Sequence, residues 1–450
     1  MKSLHLNMYK KISYITAVMV VLTSITLKAQ VTTQSPYSKF GVGNIKGTAL
    51  PQFRAMGGIS TGVYKPTGYS NVNMQNPASY PGINLTTVDI GLAGGFTTLK
   101  NSSISEKSFN STLSHMTIGV PVSNRSALSF GLAPYTELGY QFSNRVTLSN
   151  GPNSDSQDAN YIYAGEGGLN KAFLGYGYRF GKNLKLGANV EYLFGNLQNS
   201  RSTELVVPDS LISSNNTINS RMQTKNSIGG FSFSYGMQYD IPLNSKTSLV
   251  LGYSGSSKSS INSTRSSVVT QYNRNSSGEE NSALDTLINI EGAETSLKLP
   301  LIHNFGFTIQ KDNKWLIGAD YRTGKWSESS MGGENMGLQD TYGYSVGAQI
   351  TPDVNSIGSY FKRVDYRIGY TFDKTYVQIN NQDVKQMAVT FGLGLPLARS
   401  MNGLAFYKLN FTTEIGKRGS ISNGLIQENF INFGVGFTLN DKWFRKFKFD

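Results

Sequence analysis

From Thr86 to the C-terminus, apolar residues alternate with small or polar ones in segments of roughly a spanning strand's length. The last segment is the clearest. Ile431, Phe433, Val435, Phe437 and Leu439 fall on one face of a strand, and Asn432, Gly434, Gly436 and Thr438 on the other. The same period-two reading predicts fourteen strands: 86–99, 112–122, 126–142, 171–180, 184–196, 229–242, 247–257, 302–311, 315–326, 341–351, 363–373, 386–396, 404–416 and 429–439. One face suits lipid and the other water. In hydrocarbon every backbone N–H and C=O must be paired within the protein, so a sheet that spans must close on itself. The predicted fold class is therefore all-β: a transmembrane antiparallel β-barrel of about 14 strands.

The gaps sort by parity. Ser123-Asn124-Arg125, Gly181-Lys182-Asn183, Asn244-Ser245-Lys246 and Asp312-Asn313-Lys314 are short and suit tight hairpins. The gaps at about 143–170, 197–228 and 258–301 are long and rich in Ser, Asn and Thr. Barrels of this class turn tightly in the periplasm and loop widely outside, and an even strand count returns both ends to the periplasm. Leu174, Tyr176 and Tyr178, Tyr366, Ile368 and Tyr370, and Val389, Phe391 and Leu393 are read as outward-facing. Their neighbours give a lumen of glycines and charges: Arg179, Asp320, Arg322, Asp365, Arg367, Lys408 and Glu414. Opposite charges filling a wet interior are the first explanation for these residues; conduction or ligand contact is the second.

Residues 30–85 break the rhythm. Pro36, Pro51, Pro66, Pro77 and Pro81, with many glycines, interrupt any ladder, whereas Tyr37, Phe40, Phe53, Tyr64, Tyr69 and Tyr80 argue for packing. A barrel of this size encloses more space than its own side chains fill, so the segment is expected to fold into the lumen as a plug, or hatch. Ahead of it, Lys2, Lys10 and Lys11 precede the apolar stretch Ile15 to Leu27, with small Ala29 following. That is a signal-peptide pattern, shorter than the ~20 apolar residues a membrane helix needs. The expected organisation is a signal peptide over 1–29, a plug over 30–85 and a barrel over 86–450.

Composition changes this picture little. Hydrophobic residues are 38% and charged residues 15%, with 48 Gly, 25 Tyr and 24 Phe; alternating strands dilute their apolar half, so modest hydropathy is compatible with a greasy exterior. The absence of Cys excludes disulfides, lipid attachment through a cysteine and thiolate metal sites, and no metal or cofactor is called for. The formal charge of +13 includes four lysines in residues 1–29, which carry no acid, leaving the remainder near +9. With no basic helix or aromatic-basic motif, nucleic acid is not an expected partner. Lys442, Arg445, Lys446 and Lys448 would either meet anionic headgroups of outer-membrane lipid or form a solvated tail. His115 and His303 have no acidic residue beside them in sequence, which argues against a Ser-His hydrolase.

Arg54-Ala55-Met56-Gly57-Gly58, followed by Asn76-Pro77-Ala78 and the first strand, resembles the N-terminal hatch of the FadL/TodX outer-membrane transporters of long-chain fatty acids and aromatic hydrocarbons. Leu299-Pro300, Gly306-Phe307, Trp315, Ala319-Asp320-Tyr321 and Trp326-Ser327 look like a late strand pair of that family, and Asn440-Asp441-Lys442-Trp443-Phe444 like a Bacteroidetes-type ending. The resemblance runs from about Ser35 onward. It implies a cell outer-membrane location and passive uptake of a hydrophobic small-molecule ligand, which leaves sideways into the membrane where the third strand is kinked. Ala133, Pro134 and Tyr135 are the candidates for that kink, because Pro cannot donate to a ladder. The same architecture resembles PorV-type barrels, which would imply a protein partner in type IX secretion or surface attachment.

Overall fold

The computed structural model describes residues 35–65, 70–101, 105–148, 157–206, 217–275, 279–397 and 405–442. The expected signal peptide and the basic residues Arg445, Lys446 and Lys448 lie outside them. The chain forms a closed antiparallel barrel of fourteen strands. In chain order these are β1 (Thr86–Lys100), β2 (Ser105–Ser123), β3 in two halves (Ser126–Pro134 and Thr136–Leu148), β4 (Gln157–Phe180), β5 (Leu184–Leu205) and β6 (Asn219–Pro242). There follow β7 (Thr247–Ser256 and Ser259–Tyr272), β8 (Asp285–Leu299 and Ile302–Lys311), β9 (Trp315–Gly324), β10 (Thr341–Ile350), β11 (Asp365–Ile379), β12 (Gln382–Pro396), β13 (Phe406–Arg418) and β14 (Gln427–Asp441). β14 pairs with β1 from Thr86↔Asp441 to Lys100↔Gln427 and closes the ring.

The alternation is realised as an inside-out arrangement. Leu92, Phe96, Leu174, Phe231, Phe305, Ile368 and Phe391 are exposed on the outer wall, while Asp89, Thr117, Asn189, Gln238, Asn410 and Thr438 are buried within. Only a membrane solvates such an exterior, and this is an outer-membrane barrel.

Strand extents differ from the sequence reading on one side of the barrel. β4, β5 and β6 run 24, 22 and 24 residues, and the stretches expected as loops at 143–170, 197–228 and 258–301 are largely strand. The signal failed there because a sheet beyond the hydrocarbon has water on both faces, so its outward positions need not be apolar. β11 and β12 are joined by Asn380-Asn381, both at positive φ, in the two-residue turn that suits a hairpin, where a longer connection was expected. Trp326 lies past the end of β9 in a short 3₁₀ turn rather than in the strand.

The wall is irregular at β3. β3 is interrupted at Tyr135, and its lower half pairs with β2 only from Met116↔Leu132 to Ser123↔Ser126. Above that point Ser105–Leu113 of β2 keeps its ladder with β1 and, among the described residues, has none with β3. The upper half of β3 stays joined to β4 and takes the two-residue strand Asn44–Ile45 on its other edge, through Ile45↔Thr136 and Asn44↔Glu137. Gly168 of β4 faces the bend at φ +153, where a Cβ would stand 2.4 Å from the Thr136 carbonyl oxygen.

Residues 35–65 and 70–85 pack against the inward faces. Tyr37, Phe53, Tyr64 and Tyr80 are buried, and a helical turn (Pro51–Arg54) and a 3₁₀ turn (Pro77–Gly82) are the main regular elements. Leu50, Phe53, Met56, Ile59, Val72, Tyr80 and Ile83 make one apolar cluster with Ala127, Phe173 and Leu316 of the wall. A second cluster, nearer the long-strand rim, joins Tyr37 and Val42 to Leu138, Tyr140, Leu193, Trp326 and Tyr376.

Candidate functional site

The tightest seat in the lumen is at Asn76. Its side-chain oxygen accepts the Ala78 N–H at 3.1 Å, and its amide donates to the Thr61 carbonyl at 2.8 Å and reaches the Met237 and Tyr253 carbonyls at 3.4 and 3.3 Å. Pro77 follows with no N–H to satisfy. The wall makes room by omitting side chains: a Cβ on Gly236 would lie 1.9 Å from Asn76 Oδ1, and one on Gly187 2.4 Å from the Pro77 carbonyl. Further round, Asp320 Oδ2 accepts the N–H groups of Ser60 and Thr61 at 2.8 and 2.9 Å, and Thr390 Oγ1 accepts that of Gly57 at 2.8 Å.

Above this layer is a chamber of about 540 Å³. Arg54 and Lys46 from the N-terminal segment line it together with Glu137, Lys171, Glu191, Asp320, Arg322, Asp373, Glu414 and Arg418 from the wall. Arg322 holds Asp373 in a two-pronged contact, Nε to Oδ1 at 2.7 Å and Nη2 to Oδ2 at 2.9 Å, and also donates to Ser345 and Thr371. Lys171 Nζ lies 3.1 Å from Glu191, whose oxygens also accept from Ser232 and Ser234. Glu414 has Arg54, Arg418 and Lys46 as its neighbouring cations.

The expected lumen charges thus separate into three places. Asp320, Arg322 and Glu414 reach the chamber. Asp365, Arg367 and Lys408 do not; they form a closed cluster nearer the short-turn rim, with Asp365 Oδ2 accepting from Arg367 and Lys408 at 2.7 Å each and Oδ1 from Thr351 at 2.7 Å. The remaining Arg367 nitrogens donate to Gln349 and Asn410. Arg179 sits at the short-turn rim, where it donates to the Asn124 carbonyl.

The chamber meets the wall where β2 and β3 part. Asn110, Thr112 and Ser114 of β2 and Ala93 to Gly95 of β1 line it, opposite Tyr135 and Glu137 of β3. A single side-chain bridge crosses here among the described residues, Asn110 Nδ2 to Glu137 Oε1 at 2.8 Å, and Glu137 also pairs with Lys46. Ala133 is buried, Pro134 sits opposite Asn170 of β4, and the Tyr135 N–H donates to the Leu169 carbonyl.

His115 does have an acidic partner, which sequence proximity concealed: Asp89 of β1, 2.8 Å from Nε2. Ser114 Oγ is 3.2 Å from Nδ1. Asp89 is saturated by Thr438 and Gln52 as well, so the group ties β1, β2, β14 and the N-terminal segment together. No group of three or more His, Cys, Asp and Glu suited to a metal ion occurs among the described residues.

Residues 8–450 match the sequence model of the BamG family. The chain belongs to the BamG family. No curated protein matches it at a significant level. Among solved structures, this BamG-family barrel is similar to a FadL homologue of Pseudomonas aeruginosa (11% identity, TM-score 0.58, 89% of this chain and 100% of that one). It is also similar to the toluene transporters TodX of Pseudomonas putida (13%, 0.52, 90% and 100%) and TbuX of Ralstonia pickettii (12%, 0.51, 88% and 99%). These likenesses establish a FadL-type fold for the BamG-family chain, in agreement with the motifs around Arg54 and Asn76. Sequence reasoning missed Lys46, Asn110, Glu137, Lys171 and Glu191 of the BamG-family chamber. The one available signal was parity, since each lies on the face opposite an exposed apolar neighbour in its strand or directly beside the bend.

Proposed function

We propose that this BamG-family barrel passes hydrophobic small molecules through the outer membrane, with residues 30–85 as the plug and the parting of β2 and β3 as a lateral exit. The observation that carries the reading is that, among the described residues, β2 lacks a β3 ladder above Met116 just where the chamber is lined by Asn110, Thr112, Ser114 and Glu137. A ladder left open beside lipid is costly unless something else satisfies it, so an opening there needs a use. The chamber's cations are matched by as many carboxylates, so its lining charge does not choose between an anionic amphiphile such as a long-chain fatty acid and a neutral aromatic hydrocarbon, and oleate serves as the test ligand. The test is a double change, Pro134→Val with Ala133→Thr, which allows the strand to straighten. Radiolabelled oleate uptake by cells is expected to fall while the barrel stays folded, because one restored hydrogen bond is worth only ~0.5–1.5 kcal/mol. Undiminished uptake would remove the lateral exit.

A second reading, a protein-handling barrel serving secretion or surface attachment, is favoured by the tall extension of β6, β7 and β8, on which Leu287, Ile288 and Ile290 are exposed. Under it, oleate uptake is indifferent to every chamber substitution.

A further inference from the structure

The upper half of β7 pairs with β6 on one side, from Asn262↔Gly229 to Tyr272↔Asn219, and with the upper half of β8 on the other, from Ser259↔Leu299 to Gln271↔Asp285. β8 has no comparable neighbour beyond. Its next strand, β9, ends at Gly324, opposite Ile302, and only Ser296, Leu297 and Lys298 are covered, by the short strand Ser330–Met331 and Gly332. From Asp285 to Thr295 the outer edge of β8 therefore carries a row of backbone donors and acceptors with no ladder partner among the described residues. Every residue from Asp285 to Glu294 is exposed. The strip is firmly based: Arg274 Nη2 and the Tyr272 hydroxyl both donate to Glu204 at 2.6 Å, and Arg221 clasps Glu280.

Sheet edges are usually protected by charged residues, above all Lys, by Pro, by bulges or by a covering element; this edge has two bulges against β7 and three carboxylates but no cover among the described residues. Residues 285–295 contain neither Lys nor Pro. They contain Asp285, Glu291 and Glu294, none paired with a cation among the described residues, interleaved with the half-exposed Leu287, Ile288 and Ile290. Register places Ile288 beside Val269 and Val269 beside Met222, so an apolar row runs back from the edge on one face. At about 3.4 Å per residue the fifteen-residue upper half of β8 climbs well past a hydrocarbon band of ~25 Å, so lipid does not cover its far end.

We propose that Asp285–Thr295 is a docking strip for a protein partner outside the membrane, which adds an extended segment to the edge of β8 with Lys or Arg alternating with apolar residues. Main-chain hydrogen bonds supply the attachment, and the carboxylates and the Ile288 row supply the selection. A second copy of this chain is disfavoured, since residues 285–295 carry three carboxylates and no cation, so two strips brought together gather like charge with nothing to neutralise it. The inference is independent of whether the lumen conducts a ligand.

The test uses the full chain in nanodiscs and a synthetic peptide of about ten residues alternating Lys and Val, spanning the strip at the strand rise. Amide exchange across 285–295 is expected to slow on adding the peptide. N-methylation of every second peptide residue should abolish the effect in one register and spare it in the other, because only one side of the added strand faces β8. The combined change Asp285→Asn, Glu291→Gln and Glu294→Gln is expected to weaken binding about tenfold. No slowing at millimolar peptide, equal slowing by a Glu-for-Lys peptide, indifference to both methylation patterns, or protection arising instead from a dimer seen by sedimentation would each overturn the proposal.

Discussion

Two charge clusters share one lumen and are built on opposite terms. In the lower one, Asp365 lies between Arg367 and Lys408 with side-chain exposures of 1%, 4% and 3%, and every functional atom named above has a partner. In the upper one, Arg322 and Asp373 are equally well aligned but 29% and 30% exposed, and they face the chamber. β11 supplies both, with Asp365 and Arg367 below and Thr371 and Asp373 above, separated by Gly369, where the backbone of Met56 and Gly57 crosses so closely that no Cβ would fit. Proximity of opposite charges therefore does not distinguish a fastener from a reactive or ligand-facing group. Access does.

The contrast can be broken most sharply at Asp365. Asp365→Ala leaves two buried cations without their anion and is expected to cost ~3–5 kcal/mol, read as a fall in the urea midpoint of the folded barrel. Next comes the layer between the clusters: Asn76→Ala strands the Ala78 N–H, while the Thr61 carbonyl keeps Gln238 as a donor, at a cost of ~1–3 kcal/mol, and should raise leakage of small solutes in a liposome-swelling assay. Arg322→Gln, in the half-open pair, should change the urea midpoint by no more than ~1 kcal/mol, since wet ion pairs contribute little; its effect belongs in oleate affinity. If Arg322→Gln destabilises as much as Asp365→Ala, exposure does not separate the clusters. The gentlest test leaves stability alone: single cysteines at Asn275 and Asn313, on opposite rims, should label with a membrane-impermeant maleimide in intact cells only at position 275.

The barrel was readable from Thr86 onward because hydrocarbon imposes one rule on every residue that faces it, and Ile431 to Leu439 obey it without exception. Beyond the hydrocarbon the rule lapses, which is why 259–272 and 285–299 looked like loops. Parity also placed Asp320, Arg322, Asp365, Arg367, Lys408 and Glu414 inward. It could not say which would meet: Asp365 and Lys408 are 43 residues apart and are joined only through the registers of β11, β12 and β13. His115 and Asp89, 26 residues apart, are joined in the same way through the register of β1 and β2, where the bulge at Ser114 sets His115 on the inward face.

The glycine seats at Gly187, Gly236 and Gly369 also bear on the order of assembly. They sit on β5, β6 and β11, and they accept a segment that precedes β1 in the chain: its backbone at Gly187 and Gly369, the Asn76 side chain at Gly236. Such a fit has no room for late threading, so these strands must gather around the segment while the sheet is still open. The last event is then the meeting of β1 and β14, where Thr87 bonds to Asn440 across 353 positions of chain. Contacts of that separation form slowly. The two unsealed margins would be the longest-lived exposed edges of the nascent protein, and the time for which they stay apart is set by how quickly residues 35–83 find their places.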